Sequence, residues 1–165
     1  FNMYLSDNNE FYPHYARSGK CYPQFLTEGK YVPDKVFMCS ELEPRATVSQ
    51  SVLWATGYGY NYTYVGSMIA LAGDSLATRK HSTIKYPSVL YVCLDSRANS
   101  GIYGYYRIAT GFSTNSSVGV VEPRHGGTAN AIYGDGHAKA VVTRISVPSA
   151  AVYAVIKRDN CWDGI

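Results

Sequence analysis

Tyrosines flanked by glycines recur along this chain, as in Gly57-Tyr-Gly-Tyr-Asn61 and Gly101-Ile-Tyr-Gly-Tyr105, and this pattern limits the fold more than any other feature. Tyr has a high strand propensity and tolerates half-burial, because its ring is apolar and its hydroxyl is not. Gly breaks regular elements and opens turns. Sixteen Tyr and fifteen Gly in 165 residues therefore predict short strands joined by tight turns. The rings are expected on strand surfaces and at the rim of the core. Such a surface also suits contact with a partner subunit or a carbohydrate.

The length fits one domain, residues 1–165, large enough to bury a continuous core without crosslinks. Charged residues make up only 16 %, and the net charge of +3 is spread along the chain with no Lys/Arg-rich run. Nucleic acid is not an expected partner. No run approaches the roughly 18 apolar residues of a membrane helix. No signal peptide is visible, and the chain opens on Phe1 rather than Met, so an upstream segment removed from the gene product is expected. The four cysteines, Cys21, Cys39, Cys93 and Cys161, form no C-x-x-C pair, which argues against zinc-ribbon and thioredoxin-like sites. Cys21 with Cys39 is the favoured local disulfide. Cys93 either pairs with Cys161 or packs as a buried thiol.

Along the chain, Phe1 to Asn8 reads as the end of a helix, with Phe1, Tyr4 and Leu5 on one face and Asp7-Asn8-Asn9 as its stop. Glu10 to Pro33 is punctuated by Pro and Gly and predicts loops. Lys35 to Cys39 predicts a short strand, and Ser40 to Gln50 a polar turn. Val52 to Val65 reads as one or two strands bent near Gly57 or Gly59. Gly66 to Leu76 reads as a loop or helical turn. Ser88 to Leu94 is the best buried strand, continuously apolar and bounded by Pro87 and Asp95. Asn99 to Gly111 predicts a loop or edge hairpin, and Asn115 to Gly119 a turn. Around Gly134-Asp-Gly136, two strand-like runs from Asn130 to Val142 predict a hairpin, since Asp-Gly tolerates the positive φ of a tight turn. Val147 to Ile156 reads as a terminal helix or a strand.

Catalytic patterns are missing: no H-E-x-x-H, no phosphate-binding loop and no G-x-S-x-G. His125, Asp135 and His137 are the one cluster with metal-ligand chemistry. The simpler reading makes Asp135 a turn residue, leaves His137 near solvent and gives His125 a loop-anchoring role. A Cys93–His125 nucleophile has no support in spacing, and a Cys in an apolar strand is inert. Asn61-Tyr-Thr63 and Asn115-Ser-Ser117 match the N-glycosylation pattern.

Arg124-His125, nine further residues, then Asp135-Gly136-His137, with Asn130-Ala131 between, resembles the His-x9-Asp-Gly motif of a large bacterial family of prepilin-type proteins related to type II secretion pseudopilins and type IV pilins. Other landmarks follow in order. Tyr4 to Pro13 resembles the point where the family's long N-terminal helix meets its head. Val36-Phe-Met-Cys39 resembles its short apolar-Cys element, although Ser40-Glu41 stands where the family often has Pro-Ser. Gly57 to Asn61 resembles its Tyr-Gly-x-Asn segment, and Tyr86 to Ser96 its Pro-Ser strand ending in Asp-Ser.

The resemblance implies an α+β, loop-rich pilin-like head: an antiparallel sheet packed on the remnant of an N-terminal helix, residues 1–8. It implies a non-catalytic structural subunit of a pseudopilus or type IV pilus-like filament, related to type II secretion. Its partners would be other pilin-like subunits, an inner-membrane assembly platform and a prepilin peptidase acting on an upstream segment. It would be anchored in the inner membrane by that segment before assembly and displayed in the periplasm or at the cell surface. In this reading Asp135-Gly136 closes a hairpin of Ala131 to Tyr133 and His137 to Val142, and His125 anchors the preceding loop through backbone carbonyls or Asp95. Major pseudopilins carry calcium in a head loop. No such loop matches here, so neither a metal nor a cofactor is expected. The competing reading is a secreted carbohydrate-binding module with Tyr58, Tyr60, Tyr103 and Tyr105 as a stacking platform. A small exported hydrolase is the least supported.

Overall fold

A computed structural model of the chain describes residues 1–42, 56–66, 78–98, 104–108 and 118–142. Helix α1, Asn2–Asp7, ends where its sequence predicts. The Asn8 side-chain amide donates to the Tyr4 carbonyl at 2.8 Å, and Asn9 and Glu10 then adopt positive φ. This side chain satisfies one of the carbonyls that a helix end leaves open. A two-residue hairpin follows, β1 Ala16–Arg17 with β2 Lys20–Cys21, turned by Ser18 and Gly19 at positive φ.

Two expectations are corrected in the next stretch. The proposed loop contains a helix, α2, Tyr22–Glu28. Pro23 lies in its first turn, where a missing N–H is harmless, and the Gln24 side chain accepts from the Cys21 N–H at 2.8 Å in a capping box. The strand expected at Lys35 to Cys39 is instead a 3-10 turn, Asp34–Phe37, which buries Phe37. An apolar run this short carries no period that tells strand from turn.

Among the described residues the main sheet has six strands: β3 Tyr58–Asn61, β4 Tyr91–Ala98, β5 Arg107–Ile108, β6 Gly119–Val121, β7 Thr128–Tyr133 and β8 Ala138–Val142. Their order is β3-β5-β6-β4-β7-β8, and β3 also pairs with β4. Four strands thus close on themselves, β3 with β5 and β6 in parallel, β4 antiparallel to its neighbours, while the β7–β8 hairpin extends from β4. The fold is α+β. Closure over so few strands needs very small side chains: a Cβ on Gly59 would stand 2.7 Å from both Ser96 Cβ and Ile108 Cγ2. After β3 the chain forms a π-helical turn, Tyr62–Gly66, rather than continuing as strand.

Strand β4 is the hub. One edge pairs with β3 through Cys93, Leu94 and Asp95. Its other edge pairs first with β7, through Tyr91, Cys93 and Leu94, then with β6, through Ser96, Arg97 and Ala98. Asp95 sits at the changeover between those two ladders.

The tyrosines correct the composition argument. Tyr12, Tyr22, Tyr60 and Tyr106 are almost wholly buried, in the core rather than at its rim. Phe1 of the helical end stacks on Tyr60 at 5.7 Å and on Tyr22 at 6.2 Å, and Tyr22 meets Phe37 edge-on. Leu5 of α1 joins the same cluster with Leu26, Val65 and Leu90. Rings bury this deeply only when their hydroxyls find partners. Tyr22 donates to the Tyr58 carbonyl at 2.7 Å, Tyr60 to the Pro13 carbonyl at 3.0 Å, and Tyr12 to the Gly134 carbonyl at 3.3 Å. A second cluster of Tyr91, Leu94, Ile108, Val120, Val121, Ala129, Ala131 and Tyr133 packs along the sheet.

The expected Cys21–Cys39 disulfide does not form, since Cys39 carries a free thiol. Cys21 is held as the N-cap of α2, while Cys39 Sγ faces His125. Cys93 is a buried free thiol whose Sγ lies 3.3 Å from the Tyr22 hydroxyl. Cys161, the Val147 to Ile156 segment and Tyr103 fall outside the described residues, as does most of the Ser40 to Gln50, Gly66 to Leu76, Asn99 to Gly111 and Asn115 to Gly119 segments. Among the described residues no helix is long and apolar enough to cross a membrane.

Candidate functional site

The motif residues separate into two places. Asp135 and Gly136 form the β7–β8 turn. Gly136 has φ +91°, and its N–H donates to the Tyr133 carbonyl at 2.9 Å. The Asp135 carboxylate accepts the His137 N–H at 3.1 Å and contacts His137 Nδ1 at 2.6 Å. This bonding holds the Asp135 carboxyl below its usual range, the His137 N–H first among the causes. The His137 ring stacks on Tyr133 at 4.0 Å. The turn also meets the helix: a Cβ on Gly136 would stand 2.6 Å from the Asn2 amide nitrogen. Asn130, an exposed residue of β7, gives its backbone N–H to Asp95 Oδ2 at 2.6 Å.

His125 turns elsewhere. Gly126 and Gly127 have φ of +61° and +86°, and His125 and Thr128 exchange backbone hydrogen bonds at 3.1 Å. Two successive residues at positive φ make the kind of tight turn that Gly-Gly favours. The Thr128 hydroxyl donates to the His125 carbonyl at 2.7 Å. Held this way, the ring places Nε2 3.3 Å from Asp95 Oδ2 and 3.5 Å from Cys39 Sγ. The three-membered cluster first considered, His125 with Asp135 and His137, is not the one His125 joins.

Cys39, Asp95 and His125 come from three distant parts of the chain. Cys39 follows the 3-10 turn and is fixed against Gly57, where an added Cβ would stand 2.8 Å from Cys39 Cβ. The Gly57 N–H donates to the Phe37 carbonyl at 2.8 Å, tying the two segments together. Asp95 is wholly buried at the ladder changeover, and its carbonyl accepts the Glu122 N–H at 2.9 Å. Burial pushes its carboxyl up, against the opposing pull of the Asn130 N–H, Arg124 and His125.

Arg124 is the buried cation beside it. Its guanidinium donates to the Gly57 carbonyl at 3.3 Å and to the Ser96 carbonyl, clamping β3 to β4, and its Nη1 lies 4.0 Å from Asp95 Oδ1. Among the described residues, Asp95 Oδ1 and Arg124 Nε are buried and find no hydrogen-bond partner. In the sequence Arg124 stands out only as the neighbour of His125. The signal for its role is Asp95, a carboxylate after an apolar run, whose burial is costly unless it is paired or hydrogen-bonded.

This arrangement is not a nucleophile triad. In such a triad the thiol faces one ring nitrogen and the carboxylate the other. Here both face Nε2, so no relay runs from Asp95 through the ring to Cys39. Tyr60, one of the four proposed sugar-stacking rings, is buried, and Asn61 of the first glycosylation pattern is buried too, its amide donating to the Tyr91 carbonyl at 2.9 Å. No family model matches the chain, and no curated protein or solved structure matches it either.

Proposed function

We propose that this domain is a pilin-like head, a non-catalytic structural subunit of a pseudopilus or type IV pilus-like filament. The observation that carries the reading is the seating of the Asp135-Gly136 turn on α1, where Gly136 lies against the Asn2 side chain. A pilin-like head needs its sheet fixed to its helix, and here the Asp-Gly of the motif makes that contact. The inner face of α1 supports it, with Phe1 in the aromatic stack and Leu5 buried. The outer face offers Met3, 66 % exposed, as an apolar surface for packing against neighbouring helices. Assembly would then proceed through an upstream apolar segment, trimmed by a prepilin peptidase at the inner membrane, with the head displayed in the periplasm or outside the cell.

The test is to read the codons upstream of Phe1 and measure the intact mass of the native protein. The reading expects a basic leader, a Gly-Phe-type junction and about 20 apolar residues, with a mass matching the trimmed, N-methylated chain. A secretory signal ending directly before this domain would remove filament assembly. The carbohydrate-binding alternative loses Tyr60 to the core.

A further inference from the structure

We propose that Cys39, Asp95 and His125 form a three-ligand site for a divalent cation of the zinc class, independently of whether the domain assembles into a filament. The three ligand atoms lie within 4.8 Å of one another and converge on His125 Nε2. On a tetrahedral zinc, nitrogen and oxygen ligands stand about 3.3 Å apart, and nitrogen and sulfur about 3.5 Å, from the usual metal–ligand lengths. The observed separations are 3.3 Å from Nε2 to Asp95 Oδ2 and 3.5 Å from Nε2 to Cys39 Sγ.

A proton does not account for the same geometry. Nε2 has one in-plane position, which either carries a hydrogen or offers a lone pair. If it donates to Asp95, the thiol gains only a weak acceptor role. If it accepts from the thiol, the lone pair faces a carboxylate. A cation satisfies both contacts at once. The wholly buried Asp95 also has one oxygen, Oδ1, that finds no hydrogen bond among the described residues, so its charge is under-compensated by them. Arg124 lies on the Oδ1 side, at 4.0 Å, while the imidazole approaches Oδ2. The guanidinium is tied to the Gly57 and Ser96 carbonyls. The Asn130 N–H on Oδ2 orients the carboxylate, as outer partners of metal ligands commonly do.

The donor set selects the metal. Thiolate, imidazole and carboxylate suit zinc, whereas magnesium and calcium prefer oxygen alone. Thiolate and carboxylate together balance a dication. Three protein ligands leave the fourth position to water, which the partly exposed side of His125 admits. Bound there, the ion crosslinks the Cys39 segment, β4 and the loop before β7.

The experiment titrates the full, reduced, chelator-treated chain with Co2+ and follows the thiolate-to-cobalt charge-transfer band in the near ultraviolet. One Co2+ per chain is expected, displaced by Zn2+, with the band lost in Cys39→Ser and affinity reduced more than about tenfold in His125→Gln. A chain that shows no such band, or a band that persists in Cys39→Ser, overturns the proposal. Should Cys39→Ser fail to fold, the wild-type chain decides alone. Zn2+ is expected to slow iodoacetamide labelling of the Cys39 peptide at least about tenfold. Labelling of Cys39 at an unchanged rate overturns it.

Discussion

Around Cys93 the interior is filled with phenol rings, while two residues further along β4, around Asp95, it holds ions. In the first region each hydroxyl is neutral and each of Tyr12, Tyr22 and Tyr60 needs only one carbonyl, which Gly134, Tyr58 and Pro13 provide. In the second region a carboxylate and a guanidinium must be solvated by protein alone, and among the described residues each keeps one polar atom without a hydrogen-bond partner. A neutral polar group is accommodated in a small core by a single well-aimed bond. A charge asks for several, and the strand changeover at Asp95 brings together only some of them. The aromatic region therefore acts as packing, and the charged region is where binding chemistry remains available.

The largest contrast should appear in alkali. Burial raises the hydroxyl pKa of Tyr12, Tyr22, Tyr60 and Tyr106 above the ordinary range. A raised folded value means stability that is fully present below the unfolded pKa and is lost as pH rises. Above pH of about 10, each tyrosine that ionises only on unfolding costs about 1.4 kcal/mol per pH unit. Native-state absorbance is expected to show late tyrosinate formation coinciding with cooperative unfolding. Early, non-cooperative ionisation of all the tyrosines would show that the rings are not buried.

Next in size is Arg124→Ala. Removing one partner of a buried ion pair costs about 3–5 kcal/mol, and here the β3–β4 clamp through Gly57 and Ser96 is lost as well. Urea unfolding measures it, and a loss under about 1 kcal/mol would mean that the pair is solvated. His125→Ala should lower the melting temperature by less, since it removes one contact to Asp95 and leaves the Arg124 guanidinium in place. An unchanged value would end its anchoring role. Tyr60→Phe tests the neutral region: the Pro13 carbonyl loses its donor, for about 1–3 kcal/mol. If Tyr60→Phe proved as costly as Arg124→Ala, the distinction between the two regions would fail.

How much of this was legible in the sequence depends on range. The β7–β8 hairpin and the apolar core of β4 are readable because strand period and Asp-Gly turn chemistry are local, but β4 runs Tyr91–Ala98, so Asp95, read as its boundary, lies inside it and Ser88 lies before it. The end of α1 was readable for the same reason. Helix α2 is not legible from Pro23, which signals a loop by composition but in a first turn starts a helix. The tyrosines were placed at the rim because composition says nothing of whether a hydroxyl will find a carbonyl such as Pro13. The cluster at Cys39, Asp95 and His125 was hidden by sequence separation. Only the closure of β3 on β4 and the Gly126-Gly127 turn bring the three together, and the Gly-Gly signal was the one local clue left unused.

The smallest expected effect lies at the surface, in the Asp135 turn. The His137 N–H and ring hold the Asp135 carboxyl below its ordinary range. A depressed folded value contributes stability above the unfolded pKa, near 3.9, that is lost as pH falls through the folded value. Both side chains are substantially exposed, so solvent screens the interaction and the effect on global stability is small. A local probe is the better measure. The protection of the Gly136 and His137 amides, their exchange rate relative to that of an unstructured amide at the same pH, should fall below pH of about 4 in the wild type. In Asp135→Asn, whose amide oxygen still accepts the His137 N–H, that protection should lose most of its pH dependence. The Asp95 and Arg124 region should not respond to this substitution. If it did, the turn and the buried ions would be coupled through β7, and the two regions could no longer be treated as separate.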